Sequence, residues 1–382
     1  MCLSIELRDM KTIDPSISIV LKKHKLKEIR ERIELQNKSI RGFSRNIGCS
    51  PMFLCDILSG RRNLKLELLE RMEIEFDYSL IDFIERLIAR CSSTFIHTES
   101  FPIEASPSLA SLVGHCFGDG HLSRIHFNYS NTCERLIADV VNKVNELPVR
   151  DFRIARKQHK GFHVQFPKLI RNILILAGAP LGNKTGQPYQ LPKWIKEGSV
   201  DIKRSFLQAL FDDEASVLVK SREMSLSIHK TIELKDSIDN YFEELKVLLE
   251  DLGIEGISIT ETFLKGNMNR KSVKKIIRIC GISSFIKFKK EIGYIHPDKK
   301  RKLNLLINNI QNIQLRKSEG QKRIFEILQA NSKMNTKEVA KEAGISSQAA
   351  LFHLKKLERD NKIVRIIPTK NKEPHIWKVF SI

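Results

Sequence analysis

The sequence lacks any apolar run that approaches the roughly 20 residues needed to span a lipid bilayer. Its first residues, MCLSIELRDMK, also lack the basic segment and apolar stretch of a secretory signal. These absences predict a protein that is neither inserted in a membrane nor secreted. We therefore expect a cytoplasmic location.

The cysteines form neither a metal-binding nor a disulfide pattern. The seven cysteines, at positions 2, 49, 55, 91, 116, 133 and 280, are odd in number, and none belongs to a Cys-x-x-Cys pair. A zinc site or a disulfide framework would need a more regular spacing. Reduced thiols inside a cell are the simplest interpretation.

Acidic residues are too few to balance the basic ones. The 382 residues include 45 Asp and Glu against 65 Lys and Arg, which gives a formal net charge of +20. Such a charge favours a polyanionic partner. Because no membrane segment is present, nucleic acid is the favoured partner, and a basic protein without such a partner is the alternative.

Residues 1–95 are predicted to be helical and to contain a helix-turn-helix. Gly48 follows one short helix, and Ser50 is a typical N-cap of the next. Helix, glycine turn and helix form the repressor-type DNA-binding pattern, in which the second helix enters the major groove. Arg61 and Arg62 would then contact phosphates. An ordinary helical bundle explains the same pattern, because apolar residues occupy the proposed reading face.

The C-terminal part predicts a second DNA-binding pattern. Residues 96–107 have the composition of a linker, and residues 304–319 are predicted to be a connecting helix. Residues 320–382 contain three helical segments followed by a strand, a basic loop and a strand, which is similar to a winged helix. Gln348 and Lys356 on the third helix would face DNA. A protein–protein module is the alternative.

The middle of the chain contains an internal repeat. SLVGHCFGDGHLS, which starts at residue 111, aligns with SFLQALFDDEASVL, which starts at residue 205. Leu112 then matches Leu207, 95 residues later, and Asp119 matches Glu214. The segments that follow also agree, since both copies are predicted to be helix-strand-strand-helix-strand-strand-helix.

These paired motifs and their order resemble the LAGLIDADG homing endonucleases, in the single-chain form with two repeats. The resemblance covers roughly residues 108–303, as repeats 108–200 and 201–303. The phrases LGNKT (181–185) and IGYIHPDKKRKL (292–303) also resemble the segments that end each repeat. The resemblance implies an α+β fold in which a pseudo-twofold αββαββα pair forms a saddle over DNA. An all-α helix-turn-helix domain and a C-terminal winged helix would flank it.

The resemblance also explains why a buried helix contains two glycines. In this family the two motif helices pack side by side, so small residues are needed where their backbones approach. Gly114 and Gly118 lie on one helix face, and Ala209 would meet them. Each glycine costs about 1 kcal/mol of helix propensity, which close packing would offset. Asp213 stands where the family often has alanine and adds a charge to this interface.

The acids at the two helix ends are the predicted catalytic and metal-binding residues. Asp119 and Glu214 would converge where two helix dipoles already disfavour negative charge, and a divalent cation would relieve this repulsion. Oxygen ligands suit Mg²⁺ or Mn²⁺, which would assist phosphodiester hydrolysis. By resemblance, Lys184 and Lys299 are the basic residues that assist in each half-site.

The sheets of the two repeats would supply the remaining DNA contacts. Every second side chain of a strand faces the same side, and basic residues there would bind phosphates. For any single residue, a solvated surface charge is the alternative. The candidates are Arg153, Arg156, Lys157, Lys220, Arg222, Lys230, Arg270 and Lys274.

Three functions are compatible with this sequence. The first is a metal-dependent, sequence-specific endonuclease that cuts double-stranded DNA and whose core works as a monomer. The second is a DNA-binding transcription regulator with a non-cleaving LAGLIDADG fold, which resembles a family of bacterial sporulation regulators. The third is an RNA-splicing maturase. The presence of both acids favours the nuclease, and the flanking domains favour the regulator.

Overall fold

A computed structural model describes residues 3–36, 39–89, 93–158, 161–265, 271–331, 333–366 and 375–379. The chain divides into two compact units, Met1–Leu303 and Asn304–Ile382. Within the described ranges, no helix is both long and apolar enough to cross a lipid bilayer.

The N-terminal part of the first unit combines helices with strands. Its elements are β1 (Ser4–Ile5), α1 (Met10–Ile13), β2 (Ser18–Leu21), α2 (Leu26–Leu35), α3 (Ile40–Asn46), α4 (Pro51–Leu58), β3 (Leu64–Lys65), α5 (Leu66–Phe76), β4 (Ile84–Ile88), β5 (Phe95–His97) and β6 (Ile103–Glu104). Strands β3, β2, β4 and β5 are adjacent in that order in one antiparallel sheet.

This sheet corrects two expectations. Residues 1–95 are not all helical, because the short strands alternate apolar residues that the sheet buries, such as Ile19 and Leu87. The segment expected as a linker, 96–107, is also ordered by pairing. Strand β5 pairs with β4, and β6 pairs with β1.

The expected helix-turn-helix is present within this part. Helices α3 and α4 are joined by a turn at Gly48, whose φ of 72° is in the left-handed region that favours glycine. The Ser50 hydroxyl accepts a hydrogen bond from the Phe53 N–H at 3.2 Å, and Pro51 occupies the first helical position. These signals fix the start of α4.

Two repeats of the same topology follow. The first contains α6 (Pro107–Phe117), β7 (Gly120–Leu122), β8 (Phe127–Asn131), α7 (Glu134–Glu146), β9 (Val149–Arg150), β10 (Ala155–Gln158), β11 (Phe162–Phe166) and α8 (Lys168–Leu176). After α9 (Lys193–Lys196), the second contains α10 (Val200–Glu214), β12 (Ala215–Leu218), β13 (Glu223–Thr231), α11 (Lys235–Asp251), β14 (Ile257–Lys265), β15 (Lys271–Cys280) and α12 (Ile282–Glu291).

The two sheets have equivalent strand orders, β7-β8-β11-β10 and β12-β13-β15-β14. In both, the fourth strand of the repeat lies between the second and the third. The short strand β9 is an addition to the first repeat and pairs with β5 of the N-terminal sheet. The αββαββα order predicted from the sequence is therefore present in both halves.

The second unit has the order of a winged helix. It contains the end of α13 (Pro297–Ala330), then β16 (Met334–Asn335), α14 (Thr336–Ala343), α15 (Ser347–Arg359), β17 (Ile363–Ile366) and β18 (Ile376–Val379). The predicted connecting helix 304–319 is thus part of one longer helix. The three strands form a sheet in the order β16-β18-β17. The hydrophobic core of this unit includes Ile324, Leu354 and Trp377. The Trp377 indole donates a hydrogen bond to Thr336 Oγ1 at 3.0 Å.

Candidate active site

Helices α6 and α10 lie side by side at the junction of the two repeats. A Cβ on Gly114 would lie 2.5 Å from the Phe206 carbonyl oxygen and 3.0 Å from the Ala209 Cβ. A Cβ on Gly118 would lie 2.5 Å from the Cβ of Asp213. These distances leave no room for a side chain. The two glycines therefore allow the close approach of the helices that the sequence predicts.

The two predicted acids interact at the adjacent helix ends. Asp119 lies two residues after the end of α6, beyond Gly118, and remains solvent-accessible, whereas Glu214 is the last residue of α10 and is partly buried. Surrounding protein atoms displace hydration from the Asp119 carboxylate, and together with repulsion from Asp213 they raise its pKa to about 6. Burial and repulsion from Asp119 raise the pKa of Glu214 to about 7.

This pair has the chemistry of a cation site. Among the described residues, neither carboxylate forms an ion pair within 4.0 Å, although the more distant charges of Lys184 and Lys299 offset part of the rise in both pKa values. Hard oxygen donors are the ligands that Mg²⁺ and Mn²⁺ prefer, and Mg²⁺ sites often use only one or two carboxylates beside substrate phosphates. In the described part of the chain, no group of three or more His, Cys, Asp or Glu side chains is arranged to hold a metal. Asp119 and Glu214 would therefore supply only two carboxylates to a cation, and phosphate oxygens of a bound nucleic acid would have to supply further ligands.

The two predicted lysines each contact the end of one motif helix. Lys184 Nζ donates to the carbonyl oxygens of Gly118 and Gly120, the latter at 2.8 Å. Lys299 Nζ donates to the carbonyl oxygens at the end of α10, those of Phe211 and Asp213 both at 3.2 Å. Positive charge at a helix C-terminus is favourable, because it satisfies free carbonyl groups and the helix dipole. Burial lowers the pKa of Lys299.

Sequence reasoning missed a buried polar network beside these acids. The Asp213 carboxylate has no solvent exposure and accepts hydrogen bonds from the Asp119 N–H at 3.0 Å and the Tyr129 hydroxyl at 2.7 Å. His115 Nδ1 lies 3.0 Å from the same carboxylate. Burial opposes the charge on His115, but Asp213 and Asp139 raise its pKa to about 9. The signal in the sequence was a histidine and an additional aspartate on the facing sides of two apolar helices.

Lys230 was predicted to bind DNA, and the structure corrects this prediction. The residue is 1% exposed, because even-numbered positions of β13 face the interior. Its ammonium group donates to the carbonyl oxygens of Lys184 and Gln187 and lies 3.2 Å from the centre of the Tyr189 ring. Burial and the charge of Lys184 lower the pKa of Lys230 to about 7. Lys230 therefore holds the connection between the repeats.

The other basic candidates of the repeats have surface positions. Lys274 is partly exposed on β15, opposite His229 of β13. Arg270 lies outside the described residues. The exposed candidates are Arg153, Arg156, Lys157, Lys220 and Arg222.

The candidates of the flanking domains are also exposed. Arg61 and Arg62 follow α4, and both form ion pairs with Asp56, at 3.0 and 3.1 Å. Gln348 and Lys356 lie on the surface of α15. All four side chains are therefore open to a partner, although the two arginines already have an acidic neighbour.

Comparison with protein families agrees with this architecture. Residues 201–293 match the model of the LAGLIDADG-like domain, and residues 321–364 match that of the winged helix-turn-helix DNA-binding domain. The chain contains a LAGLIDADG-like domain. The predicted family resemblance and the winged helix at the C-terminal end are thereby confirmed.

Curated proteins from archaea share this sequence over part of their length. A replication factor C small subunit of Methanocaldococcus jannaschii is 27% identical over 59% of this chain but only 14% of its own length. A tRNA-splicing ligase RtcB of Methanopyrus kandleri is 28% identical over 50% of this chain and 21% of its own length. The chain thus spans about a fifth or less of these relatives. The homing endonuclease I-ApeI of Aeropyrum pernix is 25% identical over 52% of this chain and 87% of its own length.

Among solved structures, full-length DUF199/WhiA from Thermatoga maritima aligns with a TM-score of 0.33 at 13% identity, over 66% of this chain and 90% of that one. The N-terminal LAGLIDADG domain of DUF199/WhiA aligns with a TM-score of 0.29 at 16% identity, over 50% of this chain and 83% of that one. Scores this low support no functional conclusion.

Proposed function

We propose that this protein is a metal-dependent, sequence-specific endonuclease of double-stranded DNA. The observation that carries the proposal is the pair of Asp119 and Glu214 at the adjacent ends of α6 and α10. Burial and then repulsion from Asp119 raise the pKa of Glu214 to about 7, although the charges of Lys184 and Lys299 lower it, and among the described residues neither acid forms an ion pair. A protein that only binds phosphates gains nothing from two such carboxylates. The similarity to a homing endonuclease over 87% of that protein supports the proposal.

The proposal gives each of these side chains a role. Asp119 and Glu214 would hold Mg²⁺ or Mn²⁺ by carboxylate oxygens, and each would serve one strand of the duplex. The bound cation would supply activation of water and stabilisation of the leaving oxygen. Lys184 and Lys299 hold the main chain at the two helix ends and would provide positive charge near the scissile phosphates. The winged helix-turn-helix domain would add DNA contacts outside the cleavage site.

The test begins with selection of bound duplexes from a random DNA pool by the full-length protein. Selected duplexes are then incubated with Mg²⁺ or Mn²⁺ and examined for strand breaks. We expect cleavage with short 3′ overhangs that D119N and E214Q abolish while DNA binding remains. E243Q, which changes an exposed glutamate of α11, is the matched control and should cut like the wild type. Tight binding without cleavage in either metal would refute the nuclease.

A non-cleaving DNA-binding regulator is the second candidate. The observation that favours it is that both lysines already donate hydrogen bonds to main-chain carbonyl oxygens. Lys184 and Lys299 donate to the carbonyl oxygens of Gly118 and Asp213, so these two oxygens are less available to a cation. In that case the lysines complete the helix ends, and D119N and E214Q should leave DNA affinity unchanged or raise it.

A further inference from the structure

Asp213 of the second repeat contacts the end of the first repeat's motif helix. One of its carboxylate oxygens accepts the Asp119 N–H, and the other accepts the Tyr129 hydroxyl. His115 Nδ1 contacts the first of these oxygens at 3.0 Å. Three donors from the first repeat therefore converge on one buried carboxylate, which fixes the main chain at Asp119.

The side chain of Asp119 is held as well. Asn131 Nδ2 donates to Asp119 Oδ2 at 2.8 Å. The orientation of the Asn131 amide is set by its own Oδ1, which accepts the Cys133 N–H at 2.8 Å. Both the main chain and the carboxylate of Asp119 therefore have a defined partner.

Glu214 has no equivalent restraint. Over the described ranges, no side chain donates a hydrogen bond to its carboxylate. In the aligned motifs, the position of Asp213 in the second repeat is occupied by Gly118 in the first, which has no side chain to reach across. The restraint across the interface therefore operates in one direction only.

We propose that Asp213 is a positioning residue that fixes Asp119, and not Glu214, so that the two halves of the site hold their cation ligands unequally. The inference rests on the proposed nuclease function. Asp213 acts through Asp119, because its carboxylate is enclosed between the repeats. Its loss should remove the hydrogen bond that positions Asp119, whereas Glu214 loses only the repulsion of a neighbouring charge.

D213N tests this inference, because the amide keeps the size of the side chain but loses one acceptor and the charge. Both strands of a selected duplex are labelled, and single-turnover rates are measured for each strand with full-length protein in excess. We expect cleavage of one strand to slow about tenfold relative to the other, the usual effect of removing a partner of a metal ligand, so that nicked duplex accumulates. Equal slowing of both strands, or no change, would overturn the inference. E243Q should keep the wild-type ratio.

A second variant covers the case in which D213N does not fold. H115L/D213A removes both members of the buried His115–Asp213 pair, and Asp139, the other carboxylate near His115, keeps its ion pair with Lys143. Asp119 also loses its acceptor in this variant. The same difference between the two strands is expected, and its absence in a folded H115L/D213A protein would count against the role of Asp213.

Mn²⁺ binding provides a readout that does not need cleavage. Free and bound Mn²⁺ are measured by electron paramagnetic resonance with full-length protein and no DNA. We expect D213N to weaken Mn²⁺ affinity about tenfold and E243Q to leave it unchanged. A wild type that binds Mn²⁺ without cutting DNA would refute the nuclease but leave this inference standing if D213N binds more weakly. Unchanged affinity in D213N, or a wild type that does not bind Mn²⁺, would overturn the inference.

Discussion

Replacing Glu214 by glutamine should stabilise the protein at alkaline pH in the absence of divalent cations. Its pKa is raised from 4.5 to about 7, first by burial and then by the charge of Asp119. The folded protein therefore holds this proton more tightly than the unfolded chain does. The stability that the proton confers is fully present below pH 4.5 and is lost as the pH rises through 7.

The size of the effect follows from the same values. A pKa raised from 4.5 to about 7 corresponds to about 3 kcal/mol of lost stability when the group is fully ionised. Because Glu214 is only partly buried, solvent screens some of this cost, and we expect E214Q to be more stable than the wild type by about 1.5 kcal/mol at pH 8. The difference should vanish near pH 4.5.

The two tryptophans make the measurement specific to one unit. Trp194 is buried in the first unit and Trp377 in the second. In a W377F background, the fluorescence of Trp194 during urea unfolding therefore reports on the unit that contains the acids. Unfolding curves at pH 5 and pH 8 in the presence of a chelator give the free energies of wild type, E214Q and the control E243Q.

Two results would refute this reasoning. E214Q could be no more stable than the wild type at pH 8, which would mean that the ionised carboxylate is not under electrostatic strain. Its advantage could also be the same at pH 5 and pH 8, which would point to packing and not to ionisation. In either case the repulsion between the two acids would not call for a cation.

Three further predictions concern packing and surface position. G114A should destabilise the first unit by about 2 kcal/mol in urea unfolding, because the added Cβ meets backbone. G42A, where the nearest atom is a serine hydroxyl at 3.4 Å, should instead be neutral or stabilising by up to about 1 kcal/mol. K220A should lower the slope of log affinity for DNA against log salt by about one, whereas K230M should not change it. T336V should destabilise the second unit by about 1 kcal/mol, monitored by Trp377 fluorescence, because its hydroxyl accepts a hydrogen bond from that buried indole.

The helical pair at the centre could be predicted from the sequence because it is a local pattern that occurs twice. Small residues at Gly114 and Ala209 have one strong physical explanation in a buried helix, namely close contact with another backbone. The repetition at a fixed interval then indicated which two helices meet. The αββαββα order followed from the change of apolar period between helix and strand.

Features that depend on long-range pairing were not predictable in the same way. Strand β5 lies in a segment rich in serine and threonine, and it is ordered only because β4 and β9 pair with it. Lys230 looked like a surface charge because the phase of strand β13 was unknown, and a shift of one residue reverses which side chains are buried. In both cases the deciding partner is distant in sequence.

The polar network at the interface shows what is gained when both repeats belong to one chain. Asp213 occupies space that Gly118 leaves free, since a Cβ there would lie 2.5 Å from the aspartate. In a symmetric homodimer, one residue type would have to occupy both positions. Two aspartates would collide and repel, and two glycines would leave the Asp119 N–H and the Tyr129 hydroxyl without this acceptor. A one-sided restraint on the site therefore requires two repeats with different sequences.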